Sequence, residues 1–264
     1  MYIKNTWNLK RVIQVEKVYS GRYGKRIPHE KKRNPTPEDV KRINERNLVK
    51  KLQRLILCNF EEGDYHITLT YRDENRPDEE GANKELKKFI SKLQRWYKKQ
   101  GSELKYIKVT EKGKKKIHHH ILINQIEGCL KKIREIWKGG IYPSIMYGEG
   151  NFEQLADYLV KETKKARKEG GELAYSPSRN LEKPVKKTEI IKAESWVEIP
   201  VPPKGYWIPK SSLRCGISEI TGRGYQYYTM IPIRLIQDAE GEYYKPKNYK
   251  RRRGPCVSES KTKK

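Results

Sequence analysis

No apolar run in this 264-residue chain approaches 18 residues. The sequence therefore offers no candidate for a membrane-spanning helix, which needs about 20 apolar residues in a row. Its start lacks the charged, then apolar, then small-residue progression of a secretory signal, so a cytoplasmic setting is expected. Cysteine is sparse. Cys58, Cys129, Cys215 and Cys256 stand far apart with no Cys-x-x-Cys spacing, which predicts neither a disulfide framework nor a zinc finger. There is no internal repeat and no Gly-x-x-x-x-Gly-Lys-Ser/Thr loop of the kind that cradles a nucleotide's phosphates. Acid is in short supply too. Against 33 Asp and Glu stand 59 Lys and Arg, a formal charge of +26, which predicts a polyanionic partner and favours nucleic acid over a membrane surface. Histidine occurs only five times, and three of the five are consecutive.

Those three organise the chain. Residues 106–124 read YIKVTEKGKKKIHHHILIN, an alternating stretch, a Gly-Lys-Lys-Lys break at 113–116 and a dense apolar run: a β-hairpin in outline. Successive strand side chains point to opposite faces, so His118 and His120 share one face while His119 joins Ile117, Ile121 and Ile123 on the other. A turn centred in the lysine run allows Glu111 to lie opposite either His118 or His120. Either register gathers two imidazoles and a carboxylate, a donor set able to hold a divalent cation, Mg or Mn, with positions left open for a substrate oxygen. Burying two imidazoles in such a strand without partners would cost about 1 to 3 kcal/mol each, so a ligand role accounts for the grouping better than a structural one.

The remaining pattern predicts a strand near 11–19, a helix from Thr36-Pro37 to about Cys58 and a strand over 65–71. A helix carrying Leu86, Phe89, Ile90, Leu93 and Trp96 then ends near Gly101, and after the hairpin come a helix at 130–137 and a strand at 141–147. A last helix, from Asn151 to about Lys168, buries Phe152, Leu155, Ala156, Leu159 and Val160. Tyr158 projects roughly 130° from the centre of that stripe, beside Lys161, Glu162 and Lys165. Beyond it lie Pro-rich connections and the Tyr-rich stretch YQYYTMIPI at 225–233, which could add one or two strands.

The His118-His119-His120 triplet, the HITLTY stretch at 66–71 and the Tyr158-Leu-Val-Lys161 segment together resemble the HUH endonucleases, especially rolling-circle replication initiators of plasmids, phages or integrated elements. The resemblance covers roughly residues 60–170. It implies an α+β fold, an antiparallel sheet in a split βαβ (ferredoxin- or RRM-like) arrangement, to which the composition of the ends adds a basic N-terminal arm and a C-terminal β-rich extension. The expected organisation is a basic arm and helix at 1–59, the endonuclease domain at 60–170, a Pro/Tyr-rich extension at 171–244 packed on the core and a disordered basic tail at 245–264.

The resemblance also implies that His118 and His120 bind the metal with Glu111, and that Tyr158, assisted by Lys161, attacks a phosphodiester to leave a 5′-phosphotyrosyl enzyme and a free 3′ hydroxyl. Glu162 could direct water at a phosphodiester in a terminating step. Lys114, Lys115, Lys116, Lys165 and Arg179 are the expected DNA contacts. The expected partner is single-stranded DNA at a replication origin, with a host helicase, since no motor motif is present, and a host polymerase. The rival readings are a conjugative relaxase, a single-tyrosine transposase, or a non-catalytic basic DNA- or RNA-binding protein.

Overall fold

The computed structural model describes residues 1–19, 33–112, 117–146, 152–166 and 175–233. They form an α+β protein with two antiparallel sheets and four α-helices among the described residues. Two compact units emerge, one made of Met1–Asn44 with Pro184–Lys264 and the other of Glu45–Lys183. No helix among the described residues is long and apolar enough to cross a membrane. Cys58 and Cys129 are buried and outside any disulfide, whereas Cys215 is disulfide-bonded, a pairing that the scattered spacing did not indicate.

The first unit is built on β1 (Tyr2–Leu9), β2 (Val12–Val18), β8 (Lys186–Ile191), β9 (Tyr206–Trp207), β10 (Arg214–Ser218) and β11 (Arg223–Pro232), ordered β10-β11-β2-β1-β8 with β9 pairing β11. β1 and β8 were not expected from the sequence. Their lysines, asparagines and threonines interrupt the apolar alternation, and pairing, of β1 with β2 and of β8 with β1, not local pattern, holds them extended. Helix α1 runs over Pro37–Asn59. It starts at a reciprocal cap: Asp39 N donates to Thr36 Oγ1 at 3.2 Å and Thr36 N donates to Asp39 Oδ2 at 3.0 Å. The Arg33 guanidinium, and then the Thr36 backbone, hold the Asp39 carboxyl well below the usual carboxylate range.

The second unit contains β3 (Tyr65–Thr70), α2 (Glu79–Lys99), β4 (Tyr106–Lys112), β5 (Ile117–Ile123), α3 (Cys129–Ile136), β6 (Ile141–Ile145), α4 (Glu153–Ala166) and β7 (Ser176–Pro177). Its sheet is ordered β6-β3-β5-β4-β7, with every neighbour antiparallel. Strands β3 and β4, which α2 connects, are thus separated by β5. α2 is capped by Asp78, which accepts from Gly81 N at 2.8 Å, and it ends where Gly101 takes φ 73°. The stripe it buries is Ala82, Leu86, Phe89, Ile90, Leu93 and Tyr97. Tyr97, not the expected Trp96, is fully enclosed, because its hydroxyl reaches Asn124 O at 2.6 Å. These residues pack with Ile67, Leu69, Ile121, Ile123, Ile133 and Trp137 against one face of the sheet. Each such aliphatic side chain contributes about 1.5 to 3 kcal/mol relative to exposure. Helix α4 packs on β4 and buries Phe152, Ala156, Leu159 and Val160. Phe152 accepts the first bond of α4 from Ala156 N; the expected cap, Asn151, lies outside the described residues. β5 is therefore covered on both faces, which is why its sequence reads as a nearly unbroken apolar run.

Candidate active site

The register of the central strand decides what the histidines face. Glu111 stands opposite His118, the first of the two registers open to the sequence, and on the other flank Thr70 pairs with His118 and Thr68 with His120. Side-chain parity then gathers His118, His120, Glu111, Thr68 and Thr70 on one face. His120 Nε2 lies 3.4 Å from Glu111 Oε2, and His118 Nδ1 lies 3.9 Å from the same oxygen. His120 is nearly enclosed, at 3% exposure, and its other ring nitrogen, Nδ1, faces Thr68 Oγ1 at 3.2 Å.

The sequence reading missed one member of this face. His66, at the second position of β3, has Nε2 3.3 Å from His120 Nδ1, with the two rings stacked at 5.4 Å. Burial, and then the neighbouring His120, pushes its pKa down to about 4, so it is neutral near pH 7. His66 opens the HITLTY stretch and has the same parity as Thr68 and Thr70, so once the register sets Thr68 opposite His120 it falls on their face, which the segment by itself does not reveal.

His119 points the other way, as expected, and is completely enclosed. Its Nε2 is 2.9 Å from the Tyr71 hydroxyl and its Nδ1 3.0 Å from Thr110 Oγ1, so one nitrogen donates and the other accepts. Burial pushes its pKa down to about 3.

Helix α4 brings the nucleophile candidate to the first face. The ring of Tyr158 stands edge-on to His120 with centroids 5.4 Å apart, and 6.3 Å from His66. At 41% exposure it is off the buried stripe and open on one side to a substrate. Lys161 pairs with Asp157 at 2.5 Å. The side chains of Glu162 and Lys165 lie outside the described residues, as do Lys114, Lys115, Lys116 and the tail from 245. Arg179 is exposed just after β7, beside Tyr106. That is the opposite end of β4 from Glu111, about 17 Å along the strand at 3.4 Å per residue, so the structure does not bring Arg179 to the cluster.

Donors that share a cation at roughly 2.0 to 2.2 Å lie within about 4.4 Å of one another, and the two distances to Glu111 meet that bound. The Thr68 hydroxyl behind His120 suits an imidazole that ligates through Nε2 and is oriented through Nδ1. Among the described residues no three such side chains already stand at metal-holding positions; the fit is pairwise, about Glu111.

A family model of replication-associated proteins matches residues 64–167. That segment is similar to replication-associated proteins. The match runs from just before β3 to the end of α4, so His66, Glu111, His118, His120, Tyr158 and Lys161 all fall inside it and Arg179 does not. A replication-associated domain works on DNA, in keeping with the +26 charge. No curated protein and no solved structure matches the chain.

Proposed function

We propose that this replication-associated protein nicks single-stranded DNA at a replication origin and transfers the strand to its own Tyr158, initiating rolling-circle replication. The observation that carries the reading is the shared face: Tyr158 stands edge-on to His120, and His120 faces the carboxylate that also faces His118.

In this reading Glu111, His118 and His120 would hold a divalent cation, Mg or Mn. Such an ion withdraws electron density from the phosphodiester and so makes its phosphorus easier to attack. The chain's own groups do the rest. His66 and His120 pack edge-on against the Tyr158 ring and limit its rotation, which favours an in-line approach. Tyr158 Oη loses its proton and bonds to phosphorus while the bond from phosphorus to the 3′ oxygen breaks. The departing 3′ oxygen takes up a proton, so one proton passes in net from phenol to leaving group and the products are a 5′-phosphotyrosyl link and a 3′ hydroxyl able to prime synthesis. A phenol with a pKa of about 10 is mostly neutral at pH 7, and Lys161, three residues on, favours the phenolate or holds the phosphate.

The test is incubation with origin-like single-stranded DNA and Mn²⁺, with the products resolved on a denaturing gel. The wild type is expected to form a covalent adduct, Tyr158→Phe none and Glu162→Gln an undiminished amount. Retarded but uncut DNA would favour the non-catalytic binding protein instead, and an adduct in Tyr158→Phe would move the nucleophile elsewhere.

A further inference from the structure

On the helix-covered side of the same sheet, a cleft of about 450 Å³ opens between the chain just after β3, helix α2 and the segment that follows α3. Its floor is aromatic. Tyr71 and Trp137 lie 5.2 Å apart with their planes tilted by 55°, and Phe89 meets Trp137 edge-on at 5.5 Å. Its rim is basic: Arg72 follows β3, Lys88 and Lys92 sit one turn apart on α2, and Lys138 follows Trp137. Glu85 is the single acid in the lining, against these four cations.

The backbone has been drawn in to make this shape. A Cβ on Gly139 would lie 1.8 Å from Thr70 O, and the Trp137 indole donates to that same oxygen at 3.0 Å. Only glycine lets the chain pass so close to the end of β3.

An inorganic anion would suit the rim but gain nothing from the floor, and an apolar ligand would suit the floor but not four cations. A nucleotide has both halves, an apolar base and an anionic phosphate, and the volume lies within the usual range for a small-ligand site. The cleft also adjoins the candidate active site through the chain. Tyr71 follows Thr70, the partner of His118 in the ladder, and its hydroxyl bonds His119.

We propose that this cleft is a second subsite for single-stranded DNA, which seats one nucleotide of the strand away from the phosphate that is cut. The base lies against the partly exposed Tyr71, beside the buried Trp137, and the flanking phosphates meet Arg72, Lys88, Lys92 and Lys138. The proposal rests on the reading of the domain as one that handles single-stranded DNA, but it does not require that DNA to be cut.

The experiment uses the full chain and a labelled thymidine oligonucleotide of about 20 residues, which binding alone retains. The combined Lys88→Ala, Lys92→Ala and Lys138→Ala variant is compared with an equally neutralised control on the exposed surface of α2, Lys84→Ala, Lys98→Ala and Lys99→Ala. The cleft variant is expected to lose at least about tenfold in affinity at low salt, and the slope of log affinity against log salt should flatten by about 2, at about 0.7 per phosphate contact. The control should lose less than about threefold. A photoreactive uracil in the oligonucleotide should cross-link to a peptide holding Tyr71 or Trp137. Equal losses in the two variants, with no such cross-link, would overturn the subsite, and tighter binding of the matching RNA would overturn the assignment to DNA. A wild type that binds and cross-links at the cleft yet forms no covalent adduct with origin-like DNA and Mn²⁺ would sink the nickase reading while leaving the subsite standing.

Discussion

In the sheet of the first unit the buried Lys17 and Gln226 answer one another. Lys17 Nζ donates to Gln226 Oε1 at 2.9 Å, and the Gln226 amide donates to the carbonyls of Val197 and Glu198, each at 2.9 Å. His119, on one face of β5, is held in the same way between Tyr71 and Thr110. His120, one residue on and on the opposite face, has a different company: another imidazole, a carboxylate and a half-open tyrosine ring. Burial is nearly equal for His119 and His120, so burial does not distinguish them. What distinguishes them is whether the partners are fixed hydroxyls, which rigidify a core, or groups that can exchange protons and bind ions, which serve a reaction.

The largest effect should come from the open side. If Glu111, His118 and His120 hold a cation as proposed, His120→Ala and Glu111→Gln each remove a donor, and nicking of single-stranded DNA should fall on the order of 10³-fold or more, the equivalent of several kcal/mol of lost charge stabilisation. Affinity for uncut DNA, measured by gel retardation, should change little, because lysines and arginines supply it. Normal nicking by His120→Ala would erase the contrast between the two faces.

The closed side should break differently. His119→Ala leaves a cavity and strips a partner from the buried hydroxyls of Tyr71 and Thr110, for an expected loss of about 2 to 5 kcal/mol in thermal or denaturant unfolding. Against a total stability of roughly 5 to 15 kcal/mol that is a large fraction, yet the molecules that remain folded should still nick. A His119→Ala protein with full stability and no activity would reverse the roles of the two faces.

How much of this was legible in the sequence depended on how local the signal was. The order of elements from β3 to α4 was readable because each has its own pattern, such as the stripe of α2 or the alternation of β3. The faces of His118, His119 and His120 followed from a period of two. His66 was hidden, since its placement depends on which strand β3 joins, and that is a property of the sheet and not of the segment. Strands β1 and β8 were missed for a related reason, because their polar composition becomes strand only by pairing within the sheet that β2 anchors. The aromatic-floored cleft was also beyond reach, as it draws on three separated stretches and on the bare Cα of Gly139.

The smallest effect sharpens the comparison from the first unit, where Lys17 is a buried charge in a closed network. Burial, with Lys4 as the lesser cause, pushes its pKa down to about 8. In the unfolded chain an ordinary lysine titrates near about 10.4. Between those values the unfolded state holds more protons than the native state, so the native state gains stability as the pH rises through that window. Lys17→Met removes the desolvated charge but leaves Gln226 Oε1 without its donor, so at pH 7 the two changes should nearly cancel. The difference appears with pH. From about pH 8 to 10 the wild type should gain roughly 1 to 2 kcal/mol relative to Lys17→Met, read as melting temperatures that diverge in favour of the wild type in paired unfolding scans. Taking the difference between the two proteins cancels the other lysines and tyrosines that titrate in the same range. Parallel curves across that range would mean that Lys17 keeps an ordinary proton affinity in the folded chain, and that the network around Gln226 is open to solvent.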